Sequence, residues 1–268
     1  MSRAFGVTAG LDRAVVEPLA GRCEMLGYVS MWSNDIPDAS GLETVATFAR
    51  SVPGIDPGVA VLALDRHEPA DIARRIEELG LPRERLWVGV GAGFSERPLT
   101  TMREALPKLR EVLPDVKLVL AAMGPKMCAL AGSAYDGAFL NWMTPEFAAR
   151  AREQVHAGAR EAGRQPPPVL GYVRTAVGPD AAERLLKDES FYRDYHDGYR
   201  KHFQRMGVEL GAVGVATESP YVAQAELARY EDALDVVVVR ALASATVGAM
   251  TGLAEAVAPG GTESEFAR

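Results

Sequence analysis

Short runs of apolar, mostly β-branched or small residues recur along this chain, and a helix-like stretch follows nearly every one. The runs lie at residues 4–9, 28–32, 58–64, 86–90, 117–122, 136–141, 169–177 and 234–240. They are near-continuously apolar rather than alternating, the pattern of strands covered on both faces, and so of parallel strands crossed over by helices. Between them, residues 14–26, 42–50, 69–79, 101–113, 127–133 and 145–162 have helical patterning. Asp71 and Glu146 lie in first turns, where a negative charge suits the helix dipole. Eight such strand–helix units in 268 residues is the arithmetic of a (β/α)8 TIM barrel. An open doubly wound sheet is the alternative within the same α/β class.

The last two runs stand further apart than the others. Residues 180–230 are therefore read as an insertion after the seventh strand, within a single barrel domain spanning 1–268. The first half of the insertion is charged, helical and tyrosine-rich, as a cap over the barrel mouth or a dimer contact would be. Pro166–Pro168 is a short rigid entry to the seventh strand, and the polar tail from Pro259 to Arg268 is expected to be flexible.

Charge and cysteine usage narrow the function. With 29 basic against 36 acidic residues, a net charge of −7, the chain lacks the basic surplus of a nucleic-acid binder. The most apolar stretch, 236–253, is interrupted by Arg240, and no run of about 20 apolar residues exists to span a membrane. The N-terminus does not read as a signal peptide; a cytoplasmic location is expected. Cys23 and Cys128 are isolated and read as reduced, packed thiols. No histidine or acidic cluster suggests a metal.

In a barrel the chemistry sits at the C-terminal ends of the strands. After the second strand come Asn34 and Asp35, polar groups suited to a ring or a substrate, or to an Asx turn. After the fourth, Gly89, Gly91 and Gly93 alternate, which lets the backbone approach a ligand closely. After the fifth, Ala121, Ala122, Gly124 and Pro125 lead into a helix whose N-terminus suits an anion. The sixth ends at Asn141, a polar handle, and Trp142, a flat apolar wall. Arg174 in the seventh strand and Arg240 ending the eighth are costly unless paired or bound to an anion, and so are candidates for gripping an acidic group. Of the four histidines, His156 reads as solvated. His196 and His202 reach the site only if the insertion folds over it, and His67 carries no assigned role.

Four stretches, LGYVSMWSND, DRHEPADIARRIEELGLPRERLWVGVGAG, AAMGPKMCALAGSAYDGAFLNWMTPE and LDVVVVR, resemble the bacterial luciferase-like flavin- or deazaflavin-dependent oxidoreductases. The likeness is good from residue 4 to about 176 and loose beyond. It implies a (β/α)8 barrel, often a homodimer, that holds FMN or the deazaflavin coenzyme F-420 at the strand C-termini. It implies that Gly91 and Gly93, with the loop Ala121, Ala122, Gly124 and Pro125, line the coenzyme, with Asn141 beside them. It also implies a non-proline cis peptide within residues 59–62, which places Ala60 and Val61 against the ring. The deazaflavin enzymes of this family commonly follow the second strand with an Asp-His pair; here Asp35 is followed by Ile36. Imidazole acid–base catalysis is thereby in question, and Asp35, Asn34 or an insertion residue would have to substitute.

The expectation is a two-electron oxidoreductase passing a hydride between coenzyme F-420 and a small organic substrate. Asp35 and Asn34 are the candidate catalytic groups, and Trp142, Arg174 and Arg240 the candidate substrate or anion contacts. The alternatives are an FMN-dependent monooxygenase using reduced flavin and oxygen, and a flavin-binding protein without turnover.

Overall fold

The structure is a computed structural model that describes residues 2–260. The elements run β1 (Ser2–Val7), α1 (Arg13–Met25), β2 (Ser30–Ser33), α2 (Gly41–Ser51), β3 (Asp56–Ala63), α3 (Pro69–Glu78), β4 (Trp87–Gly91) and α4 (Pro98–Val112). There follow β5 (Lys117–Ala122), α5 (Pro125–Ala134), β6 (Gly137–Asn141), α6 (Pro145–Glu161), β7 (Val169–Val177), α7 (Ala181–Tyr195) and α8 (Asp197–Met206). The chain ends with β8 (Val215–Thr217), α9 (Pro220–Ala233), β9 (Val236–Ala241) and α10 (Val247–Ala256).

Strands β1 to β7 pair in parallel in chain order, and β9 closes the ring by pairing with both β7 and β1. The expected eight-stranded barrel is present. A further strand outside the ring, β8, was not legible as an apolar run; three residues long, it pairs only with the end of β7, Thr175–Val177. Segment 180–230 thus holds α7, α8, β8 and most of α9, and α9 packs on β7, β9 and α6 in the place of a barrel helix. The most apolar stretch of the sequence is divided between β9 and α10. The expected tail is described only at Pro259 and Gly260; the rest of it lies outside the described residues.

Local chemistry explains the helix starts. Pro occupies the first turn of α3, α4, α5, α6 and α9, where its missing N–H has no partner to lose. Asp12, Ser40, Thr144, Ser219 and Thr246 cap α1, α2, α6, α9 and α10 with side-chain oxygens. The element edges move by a few residues from the sequence pattern. Tyr28, for example, belongs to the turn before β2, and its hydroxyl donates to the carbonyls of Ala254 and Val257 at 2.8 and 2.9 Å. An apolar run marks burial and does not say where the ladder begins.

Beside a smaller cluster of Trp142, Leu185, Phe203, Met206 and Val213, the barrel core has two layers. One fills the space between strands and helices and includes both cysteines, free and buried, with burial pushing the Cys128 thiol up to about 12. The other fills the inside of the barrel: Ala4, Trp32, Ala60, Val119, Phe139, Leu170, Tyr172 and Val238. There Trp32, Phe139 and Tyr172 form a chain of rings with centroids 4.8 and 4.7 Å apart. These rings make the floor on which the barrel mouth rests.

Candidate functional site at the barrel mouth

Because side chains alternate along a strand, the layer above the aromatic floor is built from residues two further along, except in β3, where the register shifts between Ala60 and Leu62 and Val61 follows the floor residue directly. Val61, Gly91 and Ala121 stand on β3–β5, and Asn141, Arg174, Arg240 and Asn34 stand round the rest of the ring, from β6 through β7 and β9 to β2. The first group is small and apolar. A Cβ on Gly91 would lie 2.8 Å from Val61 Cγ1 and 3.4 Å from Ala121 Cβ, so the three form one shallow cradle. The peptide bond Ala60–Val61 is cis and non-proline, inside the window the family likeness indicated. The adjoining Gly93 has φ +58°, and a Cβ there would sit 1.9 Å from Asp65 Oδ1. Asp65 also accepts the Phe94 N–H at 2.9 Å, tying the β4 loop to the β3 loop. Ala122 is buried, while Gly124 and Pro125 begin α5 at the rim.

The second group is polar and tightly engaged. Asn34 Oδ1 accepts the Ala9 N–H at 2.9 Å and so ties the ends of β1 and β2 together. Arg174 is 3% exposed; it donates to Asn141 Oδ1, pairs with Asp188 at 3.3 Å, and stacks over the Trp142 ring at 4.0 Å. Asn141 in turn donates to the Tyr199 hydroxyl at 3.3 Å, and burial pushes that hydroxyl up to about 12. Trp142, expected as a wall for a ring-shaped ligand, is 1% exposed and packs under the insertion against Tyr192 and Phe203. Its backbone is left-handed at φ 53°, which for a side chain this size costs on the order of 1 kcal/mol. Arg240 reaches Thr8 Oγ1 at 2.6 Å.

The insertion lies across the β4–β6 rim. At its α7–α8 junction His196 meets Phe94 edge-on at 4.9 Å, and Tyr195 flanks the same ring. From α8, Arg205 donates to the Met123 carbonyl at 2.8 Å, and the His202 ring contacts the Trp142 carbonyl at 2.6 Å. His156, read as solvated, is half-buried on α6.

Asp35 is turned away from the centre of the mouth. Its side chain is 3% exposed, with Oδ1 accepting the Gly41 N–H at 2.9 Å. Oδ2 meets Arg66 at 3.1 Å and His67 Nε2 at 2.8 Å. The carboxylate is saturated, and the groups that carry it to solvent are the His67 ring and Arg66, 31% and 32% exposed. An Asp–His pair therefore exists here, although the residue after Asp35 is Ile36. Sequence reasoning passed over His67 because it is remote in sequence. The signal that finds it is topological: β2 and β3 are neighbours in the barrel, so residues just after β3 must face those just after β2.

Among the described residues no group of three His, Cys, Asp or Glu side chains is arranged to hold a metal ion, and no helix is long and apolar enough to cross a membrane.

The sequence profile of the luciferase-like monooxygenases matches residues 104–259, more than half of the chain. The chain belongs to that family. The oxidoreductase class expected from the sequence follows with it. Among the relatives of this luciferase-like protein, a 5,10-methylenetetrahydromethanopterin reductase of Methanolobus tindarius is 27% identical over 220 residues, 66% of this chain and 68% of its own. Among solved structures, an F-420-dependent secondary alcohol dehydrogenase in complex with an F-420–acetone adduct superposes with a TM-score of 0.73 at 16% identity, covering 96% of this chain and 98% of its own. The coenzyme F-420-dependent tetrahydromethanopterin reductase of Methanopyrus kandleri gives 0.70 at 18%, with 89% and 92% covered. The oxygenating constituent of 3,6-diketocamphane monooxygenase from Pseudomonas putida, in complex with FMN, gives 0.66 at 14%, with 97% and 99% covered. At these identities the superpositions speak to the fold.

Proposed function

We propose that this luciferase-like protein passes a hydride between coenzyme F-420 and a small organic substrate at the barrel mouth. The observation that carries the reading is the division of the mouth layer into a cradle of Val61, Gly91 and Ala121, with Ala60 beneath it, and a polar arc of Asn141, Arg174, Arg240 and Asn34 round the rest of the ring. A flat ring needs small residues beneath its face, which the cradle supplies, and the ring edge and the substrate need polar groups on the wall, which the arc supplies. The coenzyme supplies the carbon that gives or takes the hydride, while the protein supplies position, charge and exclusion of water.

The chain's own residues divide the remaining work. The cradle carries the ring face, and the loop from Ala121 to Pro125, with Gly93 beside it, lines the coenzyme's extended part. The insertion, held at Phe94, Met123 and Trp142, keeps water from the β4–β6 side. Asp35 is a positioning residue that fixes His67 through Nε2, and His67 Nδ1 at the rim gives or takes the proton that accompanies hydride transfer. This pair takes the place of the one the sequence lacks at Ile36. Support for the deazaflavin over FMN comes from the 27% identical relative, a methylenetetrahydromethanopterin reductase, since the tetrahydromethanopterin reductase among the superposed structures is F-420-dependent.

The test is a side-by-side titration of the purified protein with F-420 and with FMN, followed by coenzyme fluorescence. Micromolar or tighter binding of F-420, with FMN weaker, is the expected result. Preference for FMN moves the protein to the monooxygenase reading, with oxygen consumption as the next assay. Binding of neither overturns the proposal.

A further inference from the structure

One charge at the mouth has no countercharge. Arg240 is 8% exposed. Its guanidinium donates to Thr8 Oγ1 at 2.6 Å and to the Ala241 carbonyl at 3.3 Å, and among the described residues it has no ion pair. Its register partner on β7 is Arg174, whose carboxylate partner is Asp188. Two buried guanidiniums on adjacent strands thus share one acid. Between and below them lies Tyr172, with its ring centroid 5.8 Å from the Arg174 guanidinium carbon and 5.9 Å from that of Arg240. The Tyr172 hydroxyl is buried and has no hydrogen-bond partner.

A guanidinium stays protonated wherever the fold survives, so it cannot escape burial by becoming neutral. A buried charge left unpaired is strongly unfavourable, and so is a buried hydroxyl with nothing to bond. The two deficits are neighbours, the Tyr172 ring centroid lying 5.9 Å from the Arg240 guanidinium carbon, and one object could remove both: an anion with two oxygens. Arg240 offers N–H groups unused by Thr8 and Ala241, and Tyr172 offers its O–H.

We propose that Arg240, Thr8 and Tyr172 form an anion-binding position that takes the carboxylate of the organic substrate. The planar two-oxygen geometry of a carboxylate matches a guanidinium fork. The source of the anion follows from topology, given the coenzyme reading above. In the ring of eight strands β9 stands opposite β4, the strand whose Gly91 belongs to the cradle. A ring lying on the cradle leaves the β9 wall to the substrate, and a carboxylate held there extends the rest of a small molecule over the centre of the mouth.

The experiment uses benzoate and benzamide, alike in shape and different in charge, titrated into the full-length protein without coenzyme and read by melting temperature. Benzoate is expected to raise the melting temperature saturably and benzamide not to. Arg240→Gln is expected to weaken benzoate binding about tenfold or more while leaving the melting temperature of the ligand-free protein unchanged or higher, because an unpaired buried charge has been removed. Tyr172→Phe weakens benzoate binding by a smaller factor. Should Arg240→Gln fail to fold, Arg240→Lys keeps the charge, loses the fork and serves in its place, with weaker benzoate binding expected. Equal stabilisation by the two probes overturns the proposal, as does benzoate affinity unchanged in the Arg240 variant. F-420 and FMN are titrated against the same variant. If coenzyme affinity falls about tenfold and the wild type shows no benzoate effect, the anion is the coenzyme's own and the proposal falls. If neither coenzyme binds and benzoate still binds through Arg240, the anion position stands and the coenzyme reading falls.

Discussion

His202 sets a pH limit on the clasp that holds the insertion to the barrel. Its Nδ1 receives an N–H from Arg205 at 2.8 Å, so that nitrogen must carry a lone pair, and the proton of the neutral ring sits on Nε2 and donates to the Trp142 carbonyl at 2.6 Å. Protonation would set an N–H against the Arg205 N–H in a pocket where His202 is 2% exposed. Burial, chiefly, lowers the imidazole from 6.5 to about 4, with the Arg205 charge adding to the shift and the Trp142 and Met123 carbonyls opposing it. The folded state therefore binds fewer protons than the unfolded one between these values, and stability falls as pH falls through that window. At 1.36 kcal/mol per pH unit the full loss is about 3 kcal/mol, of which about 2 kcal/mol is gone by pH 5. The assay is urea unfolding followed by tryptophan fluorescence, from pH 7 to pH 4.5, on the wild type and His202→Gln. Carboxylates titrate in both proteins and cancel in the difference. The wild type should lose about 2 kcal/mol more than the variant between pH 7 and pH 5. Parallel curves would refute the reasoning.

Three further outcomes are expected. Phe139→Ala removes the middle ring of the barrel floor, which touches Trp32 and Tyr172, and should cost about 3–5 kcal/mol in urea unfolding; a loss below about 1 kcal/mol would show that the floor repacks. Gly93→Ala puts a methyl into Asp65 at a left-handed φ of +58° and should cost about 1–3 kcal/mol, with Asp65→Ala in the same chain recovering part of the loss. His67→Gln should lower kcat about 100-fold in coenzyme-dependent turnover with coenzyme affinity unchanged, and Asp35→Asn should act in the same direction more weakly; an unchanged kcat would remove His67 from the proton path.

How much of the site was legible depends on how far apart its parts lie in the chain. Gly91, Ala121, Asn141 and Arg240 were legible as mouth residues because each lies at or next to the end of a strand, and strand ends in a barrel converge on one mouth. The window of the cis peptide came from the family likeness, and the structure gives the bond as Ala60–Val61. The Asp35–His67 pair was not found, because its members come from different loops and a local scan stops at Ile36. The burial of Trp142 was equally illegible. Residues far downstream, Tyr192, Phe203 and His202, cover it, and no pattern near position 142 announces them.

The sequence alone determined the parallel α/β class, since apolar runs of strand length separated by helices bury both faces when the strands run parallel, and eight units made a barrel the expectation; the pairing of β9 with β1 closed it. The sequence also determined where most helices begin, through Pro and the capping side chains, because those effects act within one turn. The tertiary structure decided which side of the mouth is a small-residue cradle and which is charged, that Asp35 holds an imidazole, and that Arg174 is neutralised while Arg240 is not. Each of these depends on which strands become neighbours and where the insertion comes to rest. Pairing of charges and hydrogen-bonding groups is settled by distances of a few ångströms in space, and residues tens of positions apart come that close only once the barrel has closed.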